Sequence, residues 1–235
     1  MGETELEPLE TVLGHRFRQR QWLELALTHS TRRLEAAEAA DNERPEFLGD
    51  AVVGLLVSEY LAGAFPQWTA GQLSQARARI VSAESLSNAA RVLNLGSYLR
   101  LGRGEEKTGG REKPTLLADT YEALVAALYH DGELEAARGF VERTLIHPAM
   151  QSAPQALGQP DEKSALQEYL QARGQAPAEY RVVNESGPDH RKSFRVEVVV
   201  SGTVLARAEG GSKKKAEQQA AAQALLELRG AESGE

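Results

Sequence analysis

Two segments of this chain place carboxylates at helical spacing on faces that are otherwise apolar. Residues 42–50 read NERPEFLGD, and residues 117–129 read LADTYEALVAALY. Residues three, four or seven positions apart share one face of an α-helix, so each segment predicts a helix with an acidic stripe. The acids on these stripes are Glu43, Glu46 and Asp50 in the first segment and Asp119 and Glu122 in the second.

Apolar residues surround both stripes, which predicts that the two helices are largely buried. Unpaired charges are costly in such a place. Carboxylates that are forced together raise one another's pKa or bind a cation, and oxygen ligands alone favour Mg²⁺ or Mn²⁺. The stripes therefore predict a metal-assisted hydrolytic site. A di-iron carboxylate bundle would need Glu-x-x-His pairs, and none of the five histidines has a glutamate three positions before it.

Residues 6–147 show helical periodicity with little strand-like alternation, which predicts an all-α domain. Asn42 is a candidate N-cap, and Pro45 would fall in the first turn of the following helix, where a missing N–H is harmless. Residues 148–160 have no periodicity and are rich in Pro, Ala and Gln, which favours an interdomain linker. The predicted helices are Gln21–Thr28, Glu43–Ala64, Thr69–Ile80, Ala83–Leu93, Pro114–Tyr129 and Leu134–Leu145.

The pattern changes in residues 161–230 to a helix, three alternating segments and a second helix. The alternation is clearest in residues 194–200, FRVEVVV, where every second residue is apolar and Arg195 and Glu197 lie between them. This order predicts a small α+β unit with the sequence α-β-β-β-α. Residues 231–235 are predicted to be a disordered tail.

The chain of 235 residues carries a net charge of −7, but the charge is unevenly distributed. Residues 161–230 contain 11 Lys and Arg against 10 Asp and Glu, whereas the rest of the chain contains 16 against 24. Basic residues cluster at 190–192 and 213–215, an arrangement that favours a polyanion partner more than the average charge suggests. There are no cysteines, and the N-terminus lacks the apolar core of a signal peptide or membrane span. We expect a cytoplasmic protein without a membrane partner.

Together these segments resemble bacterial ribonuclease III, and the resemblance covers nearly the whole chain. It is carried by ALTHST at residues 26–31, the NERxEFLGD signature, the LADTYEAL segment and the C-terminal unit, in that order. The resemblance implies an all-α endonuclease domain followed by a double-stranded-RNA-binding domain, a homodimer, and a Mg²⁺ cofactor for which Mn²⁺ can substitute. The implied activity is hydrolysis of double-stranded RNA to 5′-phosphate and 3′-hydroxyl ends with a short 3′ overhang, in the processing of ribosomal and messenger RNA precursors.

The resemblance also assigns roles to individual residues. The metal ligands would be Glu46, Asp50, Asp119 and Glu122, of which Asp50 and Glu122 would be catalytic. Phe47 matches the aromatic residue that the family uses at its dimer interface. The RNA contacts would come from Glu43 at the rim of the site and, in the C-terminal unit, from Ser164, Gln167, Glu168, His190, Ser212, Lys213 and Lys214. Such contacts recognise the A-form geometry of the RNA duplex more than its base sequence.

The chain departs from the family pattern at four places. Pro45 replaces a leucine, Ala70 replaces a common glutamate, Ala208 replaces the first glycine of a Gly-x-Gly turn, and residues 32–40 look like extra chain. A protein that binds double-stranded RNA without cutting it is the alternative function, although retention of the four ligand carboxylates argues against it. His29, within ALTHST, could act as a base, but a structural hydrogen-bonding role is favoured.

Overall fold

The structure is a computed structural model that describes residues 6–36, 40–152, 157, 162–188 and 192–232. The chain divides into two compact units, Met1–Gln159 and Pro160–Glu235. In the described residues the first unit is helical, and the second contains a small antiparallel sheet with helices. This arrangement confirms the predicted fold class.

The first unit is built on two long helices with shorter helices around them. The second long helix is interrupted at Gly132 and Glu133, whose φ angles are −126° and 59°, so the two helices predicted on either side of this point are present. The helices are α1 Glu7–Leu13, α2 Arg20–Ala26, α3 Ser30–Ala36, α4 Glu43–Ala64, α5 Ala70–Ile80, α6 Ala83–Val92, α7 Arg103–Lys107, α8 Pro114–Val141 and α9 His147–Ser152, with 3₁₀ turns at Leu95–Tyr98 and Gly110–Glu112 and a π-helical turn at Glu142–Ile146.

Helices α4 and α8 form the centre of the first unit. Their buried side chains, among them Val53, Leu56, Leu124 and Val125, belong to one hydrophobic core, and each contributes about 1.5–3 kcal/mol when fully buried. Pro45 is buried in the first turn of α4 and leaves the helix unbroken, as predicted. By length and composition alone α4 could cross a membrane, the one such helix in the part of the chain that the structure describes, but core helices share this composition.

The chain before α2 is anchored to α8 by a buried carboxylate. Asp131 accepts hydrogen bonds from the backbone N–H groups of Arg18 (2.9 Å) and Gln19 (2.8 Å), and its Oδ2 lies 2.8 Å from Nε2 of His15. Although burial alone would raise the pKa of Asp131, these hydrogen bonds lower it below its ordinary value. Asp131 therefore holds the N-terminal segment in place as an ionised acceptor.

The second unit has the predicted order of elements. In the described residues these are α10 Glu162–Ala172, β1 Glu179–Ser186, β2 Ser193–Val200, β3 Thr203–Gly210 and α11 Lys213–Glu232, with the strands antiparallel in the order β1-β2-β3. Ala208 pairs with Val196 in regular register, so an alanine is accommodated there. Gly210 is the more constrained position, because a Cβ atom on it would lie 2.6 Å from the backbone nitrogen of Ala216.

Two of the predicted domain limits fall inside helices. Helix α9 occupies residues 147–152, so the linker predicted from residue 148 begins inside a helix, with Pro148 in the first turn where it is tolerated. Helix α11 continues to Glu232, past the predicted start of the tail. Parts of several predicted segments lie outside the described residues. These are 37–39 of the extra segment, 153–156 and 158–161 of the linker region, 233–235 of the tail, and His190. The domain limits stay predictions.

Candidate functional site

Helices α4 and α8 touch backbone to backbone at Gly49. A Cβ atom on Gly49 would lie only 1.8 Å from the carbonyl oxygen of Glu122, a distance that no side chain can accept. Glycine is therefore required at this crossing, and its flanking residues Glu46 and Asp50 are carried towards α8. Sequence reasoning missed Gly49, although a glycine inside an otherwise apolar helix is a signal of close packing.

Three carboxylates meet at this crossing. Glu46, Asp119 and Glu122 each offer one oxygen, and these three oxygens lie within 4.8 Å of one another. All three side chains are partly buried. The structure thus brings together three of the four predicted ligands. Asp50 is exposed and lies beside the group rather than within it.

The carboxylates of this cluster repel one another. Burial, together with the nearby Asp50, Glu46 and Asp119, raises the pKa of Glu122 to about 8. Burial and the neighbouring Asp119, Glu43 and Asp50 also raise the pKa of Glu46. In the described part of the chain none of the four predicted ligands forms an ion pair with Lys, Arg or His. Within the described residues the cluster is therefore an acidic centre that no basic side chain neutralises.

The N-terminus of α4 differs from the sequence prediction. Asn42 occupies the N-cap position, but its side chain makes no capping hydrogen bond, and its buried Nδ2 finds no hydrogen-bond partner among the residues that the structure describes. Asp41 takes the capping role, because its Oδ1 accepts a hydrogen bond of 3.2 Å from the N–H of Glu43 while its Oδ2 pairs with Arg33. Arg33 and Asp41 were missed, since their pairing joins residues eight positions apart across a segment with no clear periodicity.

An apolar stripe runs along the solvent side of α4. Phe47 is 82% exposed and Leu55 is 53% exposed, and both lie on one helix face with Ala51 at spacings of four residues. Glu43 is exposed one turn before Glu46 and acts on the pKa of that residue. Large apolar side chains that are exposed in line commonly mark a protein–protein interface.

The predicted RNA contacts of the second unit that the structure describes lie along α10 and around the start of α11. Gln167 and Glu168 are exposed on α10, and Ser164 is partly buried one turn earlier. Lys213 and Lys214 are exposed in the first turn of α11, where Ser212 Oγ accepts a hydrogen bond of 3.3 Å from the N–H of Lys215. A helix start with free N–H groups and two ammonium groups favours phosphate.

Comparisons with known proteins match both units. One family profile, described as Ribonuclease-III-like, covers residues 19–149, and another, the double-stranded RNA binding motif, covers residues 162–228. A protein named ribonuclease 3 from Heliobacterium modesticaldum is 49% identical over 210 residues, 88% of each chain. Its namesake from Magnetococcus marinus is 46% identical over 226 residues, covering 94% of this chain and 92% of the relative.

The first unit also resembles solved structures. The nuclease domain of ribonuclease III from Campylobacter jejuni, described for structural flexibility in a region involved in dimer formation, is 36% identical with a TM-score of 0.58. The match covers 64% of this chain and 99% of that domain.

Proposed function

The chain belongs to the ribonuclease III family of endoribonucleases and carries its double-stranded-RNA-binding domain, and on that premise we propose that it is a Mg²⁺-dependent enzyme that hydrolyses double-stranded RNA. Mn²⁺ can substitute for Mg²⁺. The products carry 5′-phosphate and 3′-hydroxyl ends with a short 3′ overhang. The observation that supports this proposal most strongly is the group of three carboxylates at the α4–α8 crossing, in a chain that also carries an RNA-binding unit.

The donor set fits a hard divalent cation. Glu46, Asp119 and Glu122 supply oxygen atoms alone, close enough for one ion to contact all three, and no basic side chain in the described residues neutralises them. Mg²⁺ and Mn²⁺ prefer oxygen ligands and tolerate several waters, which suits a partly buried group beside solvent. We assign Asp50 as the fourth ligand because it lies close enough to raise the pKa of both Glu46 and Glu122.

These residues would hold the cation and define where the scissile phosphate sits. A bound Mg²⁺ supplies an activated water and stabilises charge on the phosphate oxygens. Burial and the neighbouring acids raise the pKa of Glu122 to about 8, which favours its protonated form near neutral pH, and a cation held by these residues would favour the ionised form instead. We assign Asp50 and Glu122 the catalytic roles on the resemblance of the two acidic segments to the family.

The second unit would position the duplex. Exposed side chains on α10, Gln167 and Glu168 together with Ser164, suit the 2′-hydroxyl groups and base edges of the wide RNA minor groove. The start of α11 suits phosphate, with Ser212, Lys213 and Lys214 as the contacts. His190 completes the proposed set, and Glu43 contacts RNA at the rim of the nuclease centre.

We propose that the apolar stripe of α4 is the contact surface of a homodimer. Phe47 would insert into the partner copy, and Leu55 would lose its solvent exposure. The relative from Campylobacter jejuni is described for a region involved in dimer formation of the same domain, which supports this assignment. Two centres in a dimer could cut the two strands of one duplex, which explains the proposed overhang. The cytoplasmic processing of ribosomal and messenger RNA precursors is the proposed setting.

The test is a substrate panel with the full chain. The protein is incubated with a long paired RNA, a single-stranded RNA and a DNA duplex, each with Mg²⁺, with Mn²⁺ and with EDTA. The proposal expects cutting of the paired RNA alone, only with a metal, and 3′ overhangs when the ends are mapped. Binding of paired RNA without cleavage in either metal would overturn the catalytic proposal.

A further inference from the structure

His29 is held beside the carboxylate cluster by backbone contacts on both sides. The neighbouring Thr28 carbonyl accepts a hydrogen bond of 2.9 Å from the N–H of Asn42, the residue just before α4. The N–H of His29 donates to the carbonyl of Arg100, at 3.1 Å. His29 therefore sits between the start of α4, which carries Glu46, and the chain that leads towards α8.

A chain of hydrogen bonds fixes which nitrogen of His29 carries the proton. The N–H of Gly102 donates to Oγ1 of Thr31 at 3.1 Å, and this hydroxyl lies 2.8 Å from Nδ1 of His29. The N–H of Thr31 also points at Nδ1, at 3.3 Å. Because Nδ1 accepts from the Thr31 backbone while the hydroxyl oxygen accepts from Gly102, the hydroxyl hydrogen is left for Nδ1. The ring proton of neutral His29 is then on Nε2.

The Nε2–H group of His29 has no acceptor among the described residues. The ring is partly buried, so only part of its surface faces bulk water. Two acids lie near His29. Burial raises the pKa of Asp119, and the nearby His29 opposes that rise. The other acid, Glu105, already accepts a hydrogen bond from Lys113. A polar donor therefore lies close enough to Asp119 to act on its pKa, beside a centre whose other groups are all hydrogen-bond acceptors.

We propose that His29 donates its Nε2–H to a non-bridging phosphate oxygen of the RNA strand held at the carboxylate cluster. This inference rests on the proposed nuclease function and adds a substrate-contacting residue to it. A phosphodiester that approaches Glu46, Asp119 and Glu122 meets carboxylates that repel it, and a fixed N–H donor at the edge offsets part of that repulsion. The donor is present whether the ring is neutral or protonated, so the contact does not depend on titration of His29.

Two substitutions separate this role from a purely structural one. In His29→Asn the side-chain amide reaches the place of Nδ1 and can keep the link to Thr31, but nothing remains at the place of Nε2. In His29→Gln the amide reaches the place of Nε2 and can keep the outward donor, but the link to Thr31 is lost. His147→Asn, at an exposed histidine of α9, is the matched control.

The readout is the single-turnover cleavage rate of a short paired RNA, with thermal unfolding and RNA affinity measured alongside. We expect His29→Asn to lower the rate about 10- to 100-fold at nearly unchanged affinity, as for loss of one transition-state donor, and His29→Gln and His147→Asn to stay within about fivefold of the unmodified protein. The reverse order, with His29→Gln slow and His29→Asn normal, would overturn the inference. An unmodified protein that does not cut would overturn the proposed function itself.

If both variants are slow or unstable, cleavage of phosphorothioate substrates tests the contact between His29 and the phosphate instead. Sulfur replaces each non-bridging oxygen of the scissile phosphate in turn. If His29 contacts one of these oxygens, the combined rate loss of His29→Ala with that one sulfur is smaller than the product of the two single losses. Independent losses at both positions would show that His29 does not touch the phosphate.

Discussion

Replacing Gly49 by alanine would force apart the two helices that carry the acidic cluster. The added Cβ would lie 1.8 Å from the carbonyl oxygen of Glu122, whereas ordinary contacts begin at 3.4 Å, so the backbones must separate by about 1.6 Å. Overpacking of this kind costs about 1–3 kcal/mol of unfolding free energy. Because a misplacement of about 1 Å at an active site can cost a factor of roughly 100 in rate, we expect Gly49→Ala to lose at least that much cleavage activity.

The matched control for this prediction is Gly63→Ala on the same helix. Apart from the adjacent backbone of its own helix, no atom of the described residues lies within 4 Å of a Cβ atom built on Gly63, so the change should stabilise the protein slightly, by about 0.5–1 kcal/mol. Urea unfolding and single-turnover cleavage of paired RNA are measured for both variants. Gly49→Ala with the stability and the cleavage rate of the unmodified protein would refute the argument that this crossing builds the site.

Three further predictions concern the N-terminal anchor, the dimer and the RNA-binding unit. Asp131→Asn removes the charge and replaces one of the two carboxylate oxygens that accept backbone N–H groups, so it should cost about 2–4 kcal/mol of unfolding free energy near pH 7. Because the pKa of Asp131 is lowered in the folded protein, this cost should shrink as the pH falls below about 4, and a constant difference in unfolding free energy between pH 7 and pH 3 would contradict the anchor. Phe47→Asp should convert the proposed dimer to a monomer at micromolar concentration, as measured by light scattering, and an unchanged dimeric mass would rule out the α4 stripe as the interface. Replacing both Lys213 and Lys214 by Gln should weaken binding of paired RNA and lower the slope of log affinity against log salt by about 2, whereas an unchanged slope would show that neither lysine contacts phosphate.

The spacing of the acids in the sequence was enough to predict a shared site, because helical periodicity determines which side chains lie on one face. Glu46, Asp119 and Glu122 meet as expected once α4 and α8 are packed. The closeness of that packing was not predicted, since it depends on Gly49 meeting a carbonyl group far away in sequence. Periodicity describes the faces of single helices and says little about how near two helices approach.

The start of α4 shows a second limit of sequence reasoning. Asn42 has the right chemistry for an N-cap, yet Asp41 accepts the capping hydrogen bond and pairs with Arg33 from the preceding helix. Capping preferences are local, whereas this choice is made by a tertiary contact. The tautomer of His29 could not be predicted from the sequence either, because it depends on a hydrogen bond between Gly102 and Thr31, which are far apart in the chain.

The most direct test of the carboxylate centre compares the unmodified protein with Glu122→Gln. The substitution keeps the size of the side chain and removes the ability to ionise, and so to bind a cation as a carboxylate, from the group whose pKa is raised to about 8 by burial and by the other acids. Both proteins are assayed for binding and for cleavage of a long paired RNA across a Mg²⁺ titration. The account predicts Mg²⁺-dependent cutting by the unmodified protein, and in Glu122→Gln retained RNA binding with cleavage reduced by a factor of at least about 100 at any Mg²⁺ concentration. Equal cleavage by the two proteins would contradict the assignment of this cluster as the catalytic metal centre.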